Sequence, residues 1–137
     1  MVQVSRRRMK SDVEKRVYEL FWESSVSLRS KKEAEEFFLD LLTYTEKIML
    51  AKRLAIAVLL MKDFGYRRIK EILKVSDPTI TKVQNQLRSG SGGYERLAKR
   101  LAKEEFWREF ADILNQIFPR YSRRPVPKKV FRRKTPL

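Results

Sequence analysis

The sequence has neither cysteine nor histidine, and only four of its 137 residues are glycine. The first two absences exclude disulfide bonds, zinc or haem ligation by these side chains, thiol nucleophiles and imidazole acid–base catalysis. The longest apolar run, Leu54 to Met61, has eight residues, whereas a membrane-spanning helix needs about 20. No apolar stretch follows the basic N-terminus, as it would in a secretory signal. We therefore predict a cytoplasmic protein that is not an enzyme, binds no metal or cofactor and does not enter a membrane; a nuclease that uses carboxylates alone is the enzyme alternative that these absences leave open.

Positive charge, in contrast, is abundant: the sequence has 32 lysines and arginines and 17 acidic residues, which give a net charge of +15. Residues 1–10 contain four basic residues and residues 119–137 contain eight, with no acidic residue in either segment. We predict a basic N-terminal arm (1–10), a helical domain (11–118) and a disordered basic tail (119–137). Basic arms commonly contact nucleic-acid phosphates. The arm residues expected to do so are Arg6, Arg7, Arg8, Arg123, Arg124, Lys128, Lys129, Arg132, Arg133 and Lys134.

The domain between the arms has helical periodicity throughout and no strand-like alternation, which predicts an all-α fold. Three Ser/Thr-x-x-Glu capping boxes, at Ser11, Ser30 and Thr43, each precede a segment with apolar residues at helical spacing. Further helices are predicted over 66–73, over 79–88 and, as the longest, over 94–118.

Two tryptophans, Trp22 and Trp107, lie on amphipathic segments of these predicted helices. Large aromatic side chains are mostly buried in folded proteins. We therefore expect both to pack in the core or at a dimer interface.

Residues 66–88 form the candidate motif, two short helices separated by the turn Lys74 to Ser76. Ser76 is expected to cap the second helix, with Asp77 and Pro78 in its first turn. This arrangement is the helix-turn-helix, whose second helix enters the major groove of DNA. The outward side of that helix offers Thr79, Thr81, Lys82 and Asn85 to base edges, and the first helix offers Arg67, Arg68 and Lys70 to phosphates.

The residues around this motif resemble the Trp repressor superfamily, and most closely its short bacterial Trp-repressor-like members. The resemblance covers Phe37 to Tyr94, with matching stretches at 50–54, 66–69, 76–83 and 90–94. It implies an intertwined all-helical homodimer in which each subunit contacts one half-site of a near-palindromic operator. It also places Thr79 and Thr81 on DNA-facing threonines, Arg67 on a first-helix arginine, and Arg88 on a basic residue beyond the DNA-contacting helix.

The resemblance weakens at the positions where the Trp repressor binds its co-repressor. Arg53 matches the first of two arginines that enclose tryptophan, but Lys82 replaces the second, and lysine lacks a planar stacking face. Val83 replaces a glycine that makes room for the indole, and Gln86 replaces a serine that contacts the ligand. We therefore do not expect a tryptophan co-repressor, and interpret Arg53 as a surface helix charge.

The sequence thus predicts a homodimeric, sequence-specific regulator that binds double-stranded DNA. One alternative is a nonspecific architectural protein that binds DNA or RNA through its basic arms, with the helix pair as a scaffold. A second is a protein-interaction module resembling the promoter-contacting part of a sigma factor. The arms themselves could instead be solvated segments that only increase solubility.

Overall fold

The computed structural model describes residues 7–103 and 105–118 of the chain. All regular secondary structure in these residues is helical, as predicted. The helices are α1 (Ser11–Ser27), α2 (Lys31–Leu41), α3 (Tyr44–Met61), α4 (Tyr66–Leu73), α5 (Asp77–Ser89), α6 (Gly93–Lys103) and α7 (Glu105–Ile117). The chain divides into two compact units, Met1–Met49 and Leu50–Leu137.

Of the three predicted capping boxes, the one at Thr43 forms in full, and the one at Ser30 forms with its carboxylate bonded one residue before the cap. The Ser30 hydroxyl accepts the N–H of Glu33 at 3.1 Å and starts α2, while the Glu33 carboxylate accepts the N–H of Arg29 at 3.2 Å. At the start of α3, Thr43 and Glu46 each accept the backbone N–H of the other, at 3.2 Å and 3.0 Å. These bonds satisfy N–H groups that have no partner inside a helix.

The capping box predicted at Ser11 is wrong. Ser11 is the first residue of α1, and Lys10 occupies the N-cap position without a side-chain hydrogen bond to the helix. The helix therefore begins one residue too early for the Ser11 hydroxyl to cap it. Asp12 and Glu14 still place negative charge in the first turn, where the helix dipole favours it.

The helices α1 and α2 bury none of their side chains. Trp22 is 57% exposed, and Leu20 and Val26 are more exposed still, at 68% and 84%. The expectation that Trp22 packs in the core is therefore wrong, and its alternative, a dimer interface, stays a prediction.

The core of the second unit starts in the C-terminal half of α3. Five consecutive residues, Ile56 to Leu60, are buried, so this part of the helix is enclosed on every side. Ile69 of α4, Ile80, Val83 and Leu87 of α5, Ala98 of α6 and Leu114 of α7 complete the buried cluster.

The sequence predicted one helix over 94–118, and the described residues form two, α6 and α7, on either side of residue 104. At 100° per residue, Ala98 and Leu114 would point to nearly opposite sides of a single straight helix, yet both belong to the same buried cluster. Trp107 packs against this cluster, as predicted, and makes an edge contact with Phe64 at a centroid distance of 6.1 Å.

Candidate nucleic-acid interface

The predicted helix pair is present as α4 and α5, joined by residues 74–76. Ile69 of α4 and Ile80 of α5 are completely buried. Val83 and Leu87 extend the buried side of α5 by two further turns. This apolar contact turns the opposite sides of both helices toward solvent.

The turn between the helices is held by specific backbone geometry. Lys74 adopts a left-handed conformation (φ 54°, ψ 55°), and its N–H donates to the Lys70 carbonyl at 2.9 Å, which ends α4. The Lys52 ammonium donates to the Lys74 carbonyl at 3.4 Å. Ser76 then caps α5 as predicted, because its hydroxyl accepts the Thr79 N–H at 3.4 Å.

The four residues predicted to contact base edges lie on α5 but differ in exposure. Thr81, Lys82 and Asn85 are exposed, with Lys82 and Asn85 opposite the buried stripe of Ile80, Val83 and Leu87. Thr79 is half-buried, and its hydroxyl lies 2.9 Å from that of Ser76. The helix therefore presents Thr81, Lys82 and Asn85 together, with Thr79 beside the cap.

The residues predicted to contact phosphates lie on both helices. Arg67 and Arg88 are exposed, and Arg68 and Lys70 are half-buried. The Lys70 ammonium lies 3.2 Å from the Asp77 carboxylate. The sequence predicts Asp77 in the first turn of α5 but does not predict this ion pair.

Only part of the predicted basic arms lies within the described residues. Arg7 and Arg8 are exposed. Outside the described residues lie Arg6, Arg123, Arg124, Lys128, Lys129, Arg132, Arg133 and Lys134.

Two residues at this surface, Tyr66 and Gln84, are not predicted from the sequence. The Tyr66 hydroxyl at the start of α4 donates to the Gln84 side-chain oxygen on α5 and lies 3.4 Å from the Thr81 hydroxyl. The three residues are up to 18 positions apart in sequence. No short-range pattern could therefore have found this contact.

Residues 7–103 and 105–118 contain no group of three or more acidic side chains placed to hold a metal ion. No helix among them has the length and apolar character needed to cross a membrane.

Two short helices joined by a capped turn, packed through one side and exposed on the other, define a helix-turn-helix protein. The chain belongs to the Trp repressor family: the family model described as "Trp repressor protein" matches residues 17–102. This is a family of helix-turn-helix DNA-binding regulators rather than enzymes. The predicted family and its all-helical fold are thereby confirmed.

Individual relatives agree with this assignment. The chain is 34% identical over 82 residues to the "Uncharacterized protein YerC" of Bacillus subtilis (strain 168), covering 60% of this chain and 79% of that protein. A crystal structure described as a TrpR like protein, from Eubacterium eligens ATCC 27750, superposes with a TM-score of 0.63 at 30% identity. That comparison covers 70% of this chain and 99% of the solved one. A Staphylococcus aureus structure gives a TM-score of 0.61 at 26% identity, over 69% and 98% of the two chains.

Proposed function

We propose that the chain is a cytoplasmic transcriptional regulator. It binds specific sequences of double-stranded DNA, and it does so as a homodimer. The observation that carries this proposal is the division of α5 into a buried stripe and an exposed polar side. A major groove about 12 Å wide admits one α-helix. The α5 helix can therefore enter the major groove with Thr81, Lys82 and Asn85 toward the bases, while α4 packs against the buried side of α5.

Phosphate contacts supply the affinity in this proposal, and base contacts supply the specificity. Basic residues lie before and after the exposed residues of α5 in the sequence. They are Arg67, Arg68 and Lys70 on α4, and Arg88 near the end of α5. Together with the basic arms they would neutralise phosphates on either side of the groove. If about six phosphates are neutralised, the logarithm of the affinity falls with the logarithm of salt concentration with a slope of about −5.

The homodimer is supported by the exposed apolar side chains of α1, among which Leu20, Trp22 and Val26 are more than half exposed. Covering these side chains with a second copy would remove them from water. Two copies related by a twofold axis would present two α5 helices to half-sites about 34 Å apart.

The test is selection of binding sites from a random double-stranded DNA library with the full-length protein at physiological salt. We expect enrichment of a near-palindromic sequence. A full-length variant with the basic arm residues replaced by serine should bind more weakly but select the same sequence. Binding without any enriched sequence, abolished by the serine variant, would instead establish the nonspecific architectural alternative.

A further inference from the structure

We propose that Tyr66 and Gln84 orient the Thr81 hydroxyl so that it offers DNA a hydrogen-bond acceptor. The base that Thr81 contacts is then one with an exocyclic amine, namely adenine or cytosine. Tyr66 is a positioning residue, because it acts on DNA only through Thr81. The inference rests on the proposed function, in which α5 lies in the major groove.

The contact joins the two helices of the motif through three polar groups. The Tyr66 ring is half-buried and packs against the core cluster, which fixes where its hydroxyl lies. That hydroxyl donates to the side-chain oxygen of Gln84, which is half-buried on α5. It lies 3.4 Å from the hydroxyl oxygen of Thr81, which is exposed one turn earlier on the same helix.

Counting protons determines the direction of the second hydrogen bond. A phenol has one hydroxyl proton, and a side-chain amide oxygen can only accept. Since the Tyr66 proton is donated to Gln84, the Tyr66 oxygen can only accept from Thr81. The single hydroxyl proton of Thr81 then points toward Tyr66, and a lone pair of its oxygen remains available to solvent or DNA.

The polarity of Thr81 limits which bases it can contact. In the major groove, adenine N6 and cytosine N4 are donors, whereas guanine O6 and N7 and thymine O4 are acceptors. A threonine hydroxyl that rotates freely suits either kind of group. When the Thr81 proton is donated to Tyr66, the Thr81 oxygen can only accept a hydrogen bond, so it pairs with the amines of adenine and cytosine. Opposite guanine O6 or thymine O4, two acceptor oxygens would meet with no proton between them.

The packing and polar roles of Tyr66 can be separated by a conservative substitution. Tyr66→Phe keeps the ring against the core and removes only the hydroxyl that accepts from Thr81. The Thr81 hydroxyl can then rotate and either donate to or accept from a base. The substitution should therefore change the base preference at one position of the site without reducing the phosphate contacts.

The experiment starts from the site selected by the full-length protein. The position contacted by Thr81 is identified as the one at which Thr81→Val changes the preferred base. Binding to all four bases at that position is then measured for the wild type, Tyr66→Phe, Thr81→Val and the double variant. We expect the wild type to favour adenine or cytosine by roughly 3- to 10-fold, the range of one net hydrogen bond.

Tyr66→Phe should reduce that preference to within about twofold, with an unchanged salt slope. In the Thr81→Val background it should have no further effect, because the group it orients is gone. Gln84→Glu provides the matched control, since a carboxylate also only accepts and keeps the Tyr66 proton in place. It should retain the preference, whereas Gln84→Leu, which leaves no acceptor for Tyr66, should lose it.

Several results would overturn the inference. These are a wild-type preference for guanine or thymine at the Thr81 position, an unchanged preference in Tyr66→Phe, or no position at which Thr81→Val alters the preference. Circular dichroism verifies folding, and if Tyr66→Phe does not fold, Gln84→Leu decides the same question with Tyr66 intact. A wild type that selects no sequence at all would refute the proposed function itself, which distinguishes the two failures.

Discussion

The ammonium nitrogen of Lys70 on α4 lies 3.2 Å from a carboxylate oxygen of Asp77 in the first turn of α5. Both side chains are about half exposed, at 41% and 57%, so the ion pair contributes only about 0–1 kcal/mol to stability. Its larger effect is electrostatic. The Asp77 carboxylate offsets one positive charge where the helix pair would approach the phosphates.

Asp77→Asn should therefore increase affinity for DNA of any sequence. The substitution releases Lys70 to a phosphate, so the salt slope of binding should become steeper by about one. Affinities at several salt concentrations, measured by fluorescence anisotropy with a nonspecific duplex, test this. Asp112→Asn, which removes the same charge from an exposed position on α7, is the matched control. An equal change in both variants would show that only net charge matters.

Asn85→Ala should reduce specificity rather than general affinity. Asparagine can bind adenine N6 and N7 together, a contact that provides about 1–3 kcal/mol of discrimination. The loss should appear at one base position of the selected site, with nonspecific binding unchanged. Asn115→Ala makes the same change at an exposed position of α7 and should leave the selected site as it is. A uniform loss for all sequences in Asn85→Ala would assign Asn85 a phosphate contact instead.

The core between α4 and α5 should be sensitive to cavities. Ile69 and Ile80 are completely buried, and truncating such a residue to alanine typically costs about 2–5 kcal/mol. Urea unfolding at a fixed protein concentration measures this loss for each variant. Ile117→Ala, at an exposed position of α7, should change the free energy of unfolding by at most about 0.5 kcal/mol. Equal effects at Ile80 and Ile117 would contradict the assigned core.

Local chemistry explains why the motif could be predicted. The extent of α4, the turn at 74–76 and the Ser76 cap depend on residues within a few positions of one another, and the structure contains all three. Ser30 and Thr43 also cap their helices as predicted. At Ser11 the same four-residue pattern failed, because the pattern does not specify at which residue the chain enters the helix.

Contacts across the fold explain what could not be predicted. The Tyr66 hydroxyl meets Gln84 and Thr81 only because the turn brings α4 against α5. Trp107 packs against the core as expected, whereas Trp22 is mostly exposed, although both lie on amphipathic segments. Periodicity shows that a helix has an apolar side, but only the folded chain shows what covers it.

Adding L-tryptophan at millimolar concentration should leave DNA affinity unchanged. Val83 matches the position where the Trp repressor makes room for the indole, and here its side chain is 3% exposed within the core cluster. A ligand shifts an equilibrium only through the contacts it makes, so tryptophan that finds no room to bind leaves DNA binding unchanged. Titration of tryptophan into the protein, with calorimetry and with labelled DNA, checks both binding and its consequence. Tighter DNA binding in the presence of tryptophan would contradict this.

The reciprocal cap at the start of α3 should make stability depend on pH. Hydrogen bonds from the Thr43 backbone N–H, and then from its hydroxyl, lower the pKa of Glu46 below its ordinary value of 4.5. A carboxyl group whose pKa is lowered by folding stabilises the protein above its unfolded pKa, and this contribution is lost as the pH falls through the folded pKa. Glu46→Gln should therefore lower the melting temperature at neutral pH. The difference from the wild type should persist down to pH 4.5 and shrink below it.

Melting curves across this range measure the effect, and Glu109→Gln, at an exposed position on α7, controls for the loss of one carboxylate. A difference that stays constant below pH 4.5 would show that the Glu46 carboxylate does not stabilise the cap.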